Sequence, residues 1–242
     1  MEIFLKETKN VDALVFMDLE ATSFTSEMIE IGAYLAEINK DGSIKKVHAP
    51  FKRYVKAKHQ VGFHVAQLTG ITDEKLRNEG EDFPAVLSSF RKYVGKFWDS
   101  CRFVTFSEHD MVIVKNTMAQ YRDLNPSYAR NIYRHHLDLQ RLLDRYIQDQ
   151  NGNPYSLTNY LKVFGLEFDG KAHDAIYDAL NLLDLYKVAR EGKEIFIKEY
   201  KNVLCGAKTR PVVKEIIHML SEGKAVTPEM FDALLEDTFK WV

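Results

Sequence analysis

The sequence predicts an α/β fold: an antiparallel strand meander leading into alternating helices and strands, flanked by helices, with a small helical C-terminal extension. Strand-forming runs separated by turn residues occupy the segment 13–55. From Phe83 onward, apolar residues recur at helical spacing between short strand-like runs, and after about Glu191 only helical patterns remain. Of the 242 residues, 45% are hydrophobic and 28% charged, which supplies a core and argues against a disordered chain.

Each element follows from a local signal. Ala13 to Leu19 is a short apolar run of strand formers and reads as a buried central strand. The polar stretch Thr22 to Glu27 turns the chain, and Met28 to Asn39 reads as a second strand. Lys40 to Ser43 is a strong turn signal. Ile44 to Val55 is a third strand, interrupted by Pro50, which suits a sheet edge or a bulge. Phe83, Val86, Leu87, Phe90, Val94 and Phe97 fall on one face of a helix. Cys101 to Phe106 reads as a strand and Met111 to Tyr121 as a helix. A strand at His136 to Leu139 runs into a helix, Gln140 to Gln148. Asn151 to Pro154 breaks the chain, and Ser156 caps a short helix ending before Gly165. His173 to Arg190 is the strongest helix. These patterns divide the chain into an α/β domain, 11–190, and an extension, 191–242. The extension holds helices Pro211 to Leu220 and Pro228 to Phe239, with Thr227 as N-cap and Pro228 as first residue of the second.

Cys101 and Cys205 are far apart and outside any CxxC pair, which argues against a disulfide framework and a zinc site and fits a reducing compartment. Met1 to Asp12 lacks the apolar stretch of a secretory signal, and no run is long enough to span a bilayer. The expectation is a cytoplasmic protein that does not enter a membrane. Lys and Arg total 33 against 35 for Asp and Glu, a net charge of -2, so composition does not announce a nucleic-acid binder.

Asp18 and Glu20, two apart at the end of the first strand, point to one face. Carboxylates buried together repel unless something positive lies between them, and a divalent metal is the simplest answer. Asp110 follows the next strong strand at the start of a helix, where Asp is also a preferred N-cap; Glu108 and His109 compete for its role. Asp174 is the natural N-cap of the long helix. Asp178 lies one turn in, where the helix dipole favours a carboxylate by about 0.3–1 kcal/mol. His173 precedes that helix on a loop. A ligand set made of oxygens suits a hard cation such as Mg²⁺ or Mn²⁺. Two such ions ~3.5–4 Å apart can hold the attacking and leaving oxygens of a phosphoryl displacement. A histidine beside them can take a proton from water.

Together these residues resemble the DEDDh 3′→5′ exonucleases of the ribonuclease H-like superfamily, which include the proofreading subunit of bacterial DNA polymerase III and ribonuclease T. Asp18-Leu19-Glu20-Ala21-Thr22 is similar to the first motif, the stretch around Asp110 to the second, and His173 to Asp178 to the third. His64 to Thr72 resembles the segment between meander and first helix, and the stretch from Pro50 to Pro84 looks closest to the Eri-1-like or sporulation-inhibitor-like exonucleases. The resemblance runs from about Val11 to Arg190. It implies a ribonuclease H-like mixed sheet, with Asp18, Glu20, Asp110 and Asp178 as ligands of two divalent cations and His173 as general base. Backbone from Glu20 through Ala21 to Thr22 would hold the terminal sugar. Leu68, on a loop, would pack against the terminal base, ordinary core being the competing reading. The implied activity is hydrolysis from the 3′ end of single-stranded RNA or DNA, releasing nucleoside 5′-monophosphates. An oligoribonuclease-like hydrolase of short or dinucleotide substrates is an alternative, as is a non-catalytic nucleic-acid-binding module; the latter would have no need of all five intact positions. His109 departs from the asparagine or glycine of many relatives.

Three basic groups are ambiguous. Lys45, Lys46, Lys52, Arg53, Lys56 and Lys58 could contact phosphates or guard a sheet edge. Arg130, Arg134, His135 and His136 share that ambiguity. Lys193, Lys198, Lys201, Lys208, Arg210 and Lys214 lie on the extension, for which docking on the core, substrate binding and a protein partner are the competing readings.

Overall fold

The apolar run that begins at Ala13 lies at the centre of a six-stranded mixed sheet. The computed structural model describes residues 2–121, 123–206 and 210–238. In chain order the elements are α1 Glu2–Glu7, β1 Ala13–Ala21, β2 Met28–Ile38, β3 Ile44–Val47, β4 Phe51–Tyr54, α2 Phe63–Thr69, α3 Asp73–Glu79, α4 Phe83–Val94, β5 Arg102–Thr105, α5 His109–Ala119, α6 Ser127–Arg134, β6 His136–Asp138, α7 Leu139–Asp144, α8 Leu157–Val163, α9 Ala175–Glu191, α10 Lys193–Leu204, α11 Pro211–Ser221 and α12 Pro228–Thr238. Lys208 and Phe239 lie outside the described residues.

The strand order is β3-β2-β1-β5-β6, with β4 also on β2. The meander β1 to β4 is antiparallel; β1–β5 and β5–β6 are parallel. The expected third strand is two strands. Pro50 separates them, because proline has no N–H for the ladder. β4 pairs with Glu30 to Ala33 and β3 with Ala36 to Ile38, both on the outer edge of β2.

Side chains alternate across β1, and both faces are covered, so nearly every position of its first half is apolar. Val15, Met17 and Leu19 join one core with α4, α5 and α6. Leu14 and Phe16 join the other, with α7, α8 and α9. The α9 side of β1 changes character along the strand: Leu14 and Phe16 give way to Asp18 and Glu20 where α9 begins. A glycine permits this approach. An added Cβ at Gly32, the β2 partner of Asp18, would lie 2.2 Å from the Ala175 backbone.

The structure adds five helices that the sequence analysis does not name: α1, α2, α3, α6 and α10. In α1 the one buried residue is Phe4, edge-on to Tyr186 at 5.5 Å and to Phe196 of α10 at 6.4 Å. Phe196 also meets Phe164 and Tyr146, so α10 packs on the α9 side of the sheet. Beyond it, α11 and α12 are largely exposed. No described helix is long and apolar enough to cross a membrane. Phe4 ties α1 to α9 and α10. Phe4→Ala is expected to lower stability by about 3–5 kcal/mol, read from the urea midpoint; an unchanged midpoint would detach α1 from the core.

Candidate active site

The site forms where β1 ends and α9 starts. Asp18, Glu20 and Asp178 each offer a carboxylate oxygen within 4.8 Å of the others. Alternation along β1 aims the first two at α9, and one helical turn carries Asp178 to meet them. A register shift between Glu20 and Ala21 bends the strand at this point.

Asp110 stands beside this set of three. It is buried in the first turn of α5, and it is not the N-cap, a position held by Glu108. Its Oδ1 accepts the Leu19 N–H at 3.0 Å, which ties α5 to β1 between the two acidic positions. Burial separates it from its competitors: Glu108 and His109 are exposed, and Glu108 pairs with Arg141 at 3.2 Å.

His173 is exposed on the loop before α9 with φ 62, a left-handed conformation that is uncommon for a residue with a Cβ. Its backbone N–H donates to the Asp178 carboxylate. The loop begins at Gly170 (φ +82), where a Cβ would lie 2.0 Å from the Tyr177 ring. Asp174 caps α9 as its position predicts, accepting from Ile176 N at 3.3 Å.

Crowding governs the electrostatics. Burial raises Asp18 well above the usual carboxylate range, and Asp110, Asp178, Glu20 and Glu30 add to the rise. Burial, then Asp178, Glu30, Asp110 and Asp174, push Glu20 up to about 8. Burial brings Asp110 to about 7, although the Leu19 N–H opposes it. Burial brings Asp178 to about 6, opposed by His173. Such a set holds its protons to higher pH than ordinary carboxylates and releases them more readily when a cation takes their place, and its oxygens are the donors a hard divalent ion prefers.

Thr22 is buried and its groups are committed within the loop after β1. Its N–H donates to the Glu27 carbonyl at 2.9 Å, and its Oγ1 accepts from Glu27 N at 3.0 Å. Ala21 is half-buried at the strand end. Leu68 lies on helix α2, not on a loop, and is 55% exposed, which removes the core reading.

Sequence reasoning missed Phe24, Phe63 and Glu30, and gave Lys52 another role. Phe24 is 94% exposed and Phe63 71% exposed. They follow Ser23 and Gly62, whose backbones are brought together by the Ser23 N–H donating to the Val61 carbonyl at 3.0 Å. Glu30 is 1% exposed in β2, directly across from Glu20. Lys52, grouped above with phosphate-binding candidates, is instead bound to Glu30 and Asp174. The acid inside the apolar run of β2 was the available signal.

A mixed sheet of this topology carrying a partly buried acidic cluster at a strand end fits the ribonuclease H-like class of nucleases. The chain belongs to the exonuclease family: the family model, named for RNase T, matches residues 15–186. Several solved structures share the fold. One, described as 3′-end specific recognition of histone mRNA stem-loop by a 3′-exonuclease, has a TM-score of 0.63 at 19% identity, covering 76% of this chain and 84% of that one. The nuclease domain of 3′hExo, a DEDDh family member bound to rAMP, has a TM-score of 0.57 at 21% identity, covering 77% and 94%. E. coli Exonuclease I in complex with a dA16 oligonucleotide has a TM-score of 0.58 at 15% identity, covering 85% of this chain and 45% of that one. No curated protein sequence matches the chain.

The raised carboxylates set a pH dependence. Their folded pKa values lie above the unfolded ones, so the stability they contribute is fully present below about pH 4 and is lost as pH rises through about 6 to 8. Relative to wild type, metal-free Asp18→Asn is expected to gain roughly 0.5–2 kcal/mol at pH 8 and less at pH 5. Thermal unfolding at the two pH values, with and without Mn²⁺, checks this: the metal should stabilise wild type and not the variant. A gap that does not grow with pH would contradict it.

Proposed function

We propose that this protein is a metal-dependent 3′→5′ exonuclease that removes nucleoside 5′-monophosphates from single-stranded RNA or DNA. The observation that carries the reading is the convergence of Asp18, Glu20 and Asp178 within 4.8 Å, in a chain of the exonuclease family. With Asp110 they would hold two divalent cations, Mg²⁺ or Mn²⁺, which when bound supply Lewis-acid stabilisation of the attacking and leaving oxygens.

The chain's own groups do the rest. An imidazole nitrogen of His173 accepts a proton from the water that attacks the terminal phosphorus. The bond from phosphorus to the 3′-oxygen of the preceding nucleotide breaks, that oxygen takes up a proton, and the terminal nucleotide departs with its 5′-phosphate. Exposure of His173 suits this exchange with solvent, and the Asp178 carboxylate fixes its loop. Backbone from Glu20 through Ala21 to Thr22 borders the cluster and meets the terminal sugar. Leu68, Phe24 and Phe63 offer exposed apolar faces to the last bases. The rAMP and dA16 bound by the two fold relatives are ligands of this kind. The two free thiols support a cytoplasmic location for such an enzyme.

The test is degradation of 5′-labelled single-stranded RNA and DNA with Mn²⁺ or Mg²⁺. Wild type should shorten both from the 3′ end or select one, and chelation should stop it. His173→Ala should lose about 10²–10⁴-fold in rate, and Asp178→Ala should be inactive. Intact wild-type substrate, or equal degradation by Asp178→Ala, contradicts the reading. Phe24→Ala and Leu68→Ala should each raise KM by roughly 5–150-fold, the equivalent of ~1–3 kcal/mol of base stacking, with kcat nearly unchanged. Steady-state kinetics on an oligonucleotide checks this, and an unchanged KM would take these side chains out of the substrate path.

A further inference from the structure

We infer that Lys52 is a positioning residue: through Glu30 and Asp174 it fixes the start of α9, and with it His173 and Asp178, against the carboxylates of β1. The inference rests on the proposed function and adds to it a residue that touches neither substrate nor metal.

The contacts converge on one ammonium group. Lys52 Nζ lies 3.0 Å from Glu30 Oε1 and 2.6 Å from Asp174 Oδ1. Glu30 Oε2 accepts the N–H of Ala175, the first residue of α9, at 3.2 Å. Asp174 Oδ1, besides meeting Lys52, caps the Ile176 N–H. Two carboxylates that would repel are thus joined by a lysine, and both also hold free N–H groups of the first helical turn. Lys52 sits on β4 directly across from Gly32, the residue whose missing Cβ lets Ala175 lie on the sheet. Across the loop, Lys171 Nζ donates to the Thr69 carbonyl at 3.1 Å, so the four residues from Lys171 to Asp174 are anchored at both ends. His173 lies between the anchors, and Asp178 lies one turn beyond the second.

A lysine so engaged is a poor phosphate ligand, since reaching a substrate would strand a carboxylate that is 1% exposed. A salt bridge of purely structural value would have no reason to end on the turn that carries the catalytic loop. Groups behind a metal site that orient its ligands typically change metal affinity or activity by about 10–100-fold when removed.

The test compares Lys52→Met and Lys52→Arg with wild type. Mn²⁺ affinity is measured by calorimetry without substrate, beside kcat, KM and the salt dependence of KM on an oligonucleotide. Lys52→Met should weaken Mn²⁺ binding about 10–100-fold and lower kcat, with KM unchanged, and Lys52→Arg should recover most of the loss. Unchanged Mn²⁺ affinity with a lower urea midpoint would reduce Lys52 to a structural ion pair. A raised KM whose salt slope falls by about 1 would make it a phosphate contact. Either result overturns the inference, as does a wild type that binds no Mn²⁺. If wild type binds Mn²⁺ and degrades no strand, the proposed function fails while the Mn²⁺ comparison still decides the role of Lys52.

Discussion

Asp18, Glu20, Asp110 and Asp178 cannot all carry charge in the space they share. Two unit charges ~4 Å apart repel by about 4 kcal/mol at an effective dielectric of 20, and burial removes the water that would screen them. The consequence is visible in every member of the set, each held above the ordinary carboxylate range with burial as the leading cause. The nearby lysine, Lys52, is committed to Glu30 and Asp174. The molecule therefore keeps an unbalanced acidic pocket that only protons or added cations can neutralise.

The sheet exists around that pocket in a definite sense. β1 alternates between two cores, and the positions facing α9 turn from apolar to acidic where the helix begins. β5 runs parallel to β1 and delivers α5, so that Asp110 reaches back to Leu19 N. Gly32 lets α9 settle on β2, and the Glu30–Lys52–Asp174 link holds it there. Residues from five separate stretches of chain thus fix the place of four carboxylates, while Phe196 of α10 packs far from them, against Phe4 and Phe164.

Period and punctuation made much of this legible. The β1 run, the Asp41-Gly42 turn and the apolar face of α4 are local signals, and the fold class follows from them. Asp18, Glu20 and Asp178 were legible because strand and helix spacing place them at element ends. What escaped was short or long-range. Helix α1 owes its place to one buried phenylalanine, and α2 and α3 are two turns each, too brief for a period to show. The bond from Asp110 to Leu19 spans 91 positions and that from Lys52 to Asp174 spans 122, so no window of sequence contains either. Lys52 therefore reads as a phosphate contact or an edge charge, and Asp110, taken by itself, is as well explained as a helix cap; only the resemblance to a family makes it a ligand. The net charge of -2, which at first weighs against a nucleic-acid partner, includes these four acidic residues; two bound divalent ions would cancel their charge, so the loaded site need not repel phosphate.

The most direct measurement is anomalous diffraction from crystals grown with Mn²⁺. The account predicts metal density ligated by carboxylate oxygens of Asp18, Glu20 and Asp178, with Asp110 contributing. Millimolar Mn²⁺ that leaves this pocket without anomalous density, or that binds only elsewhere on the molecule, would contradict it.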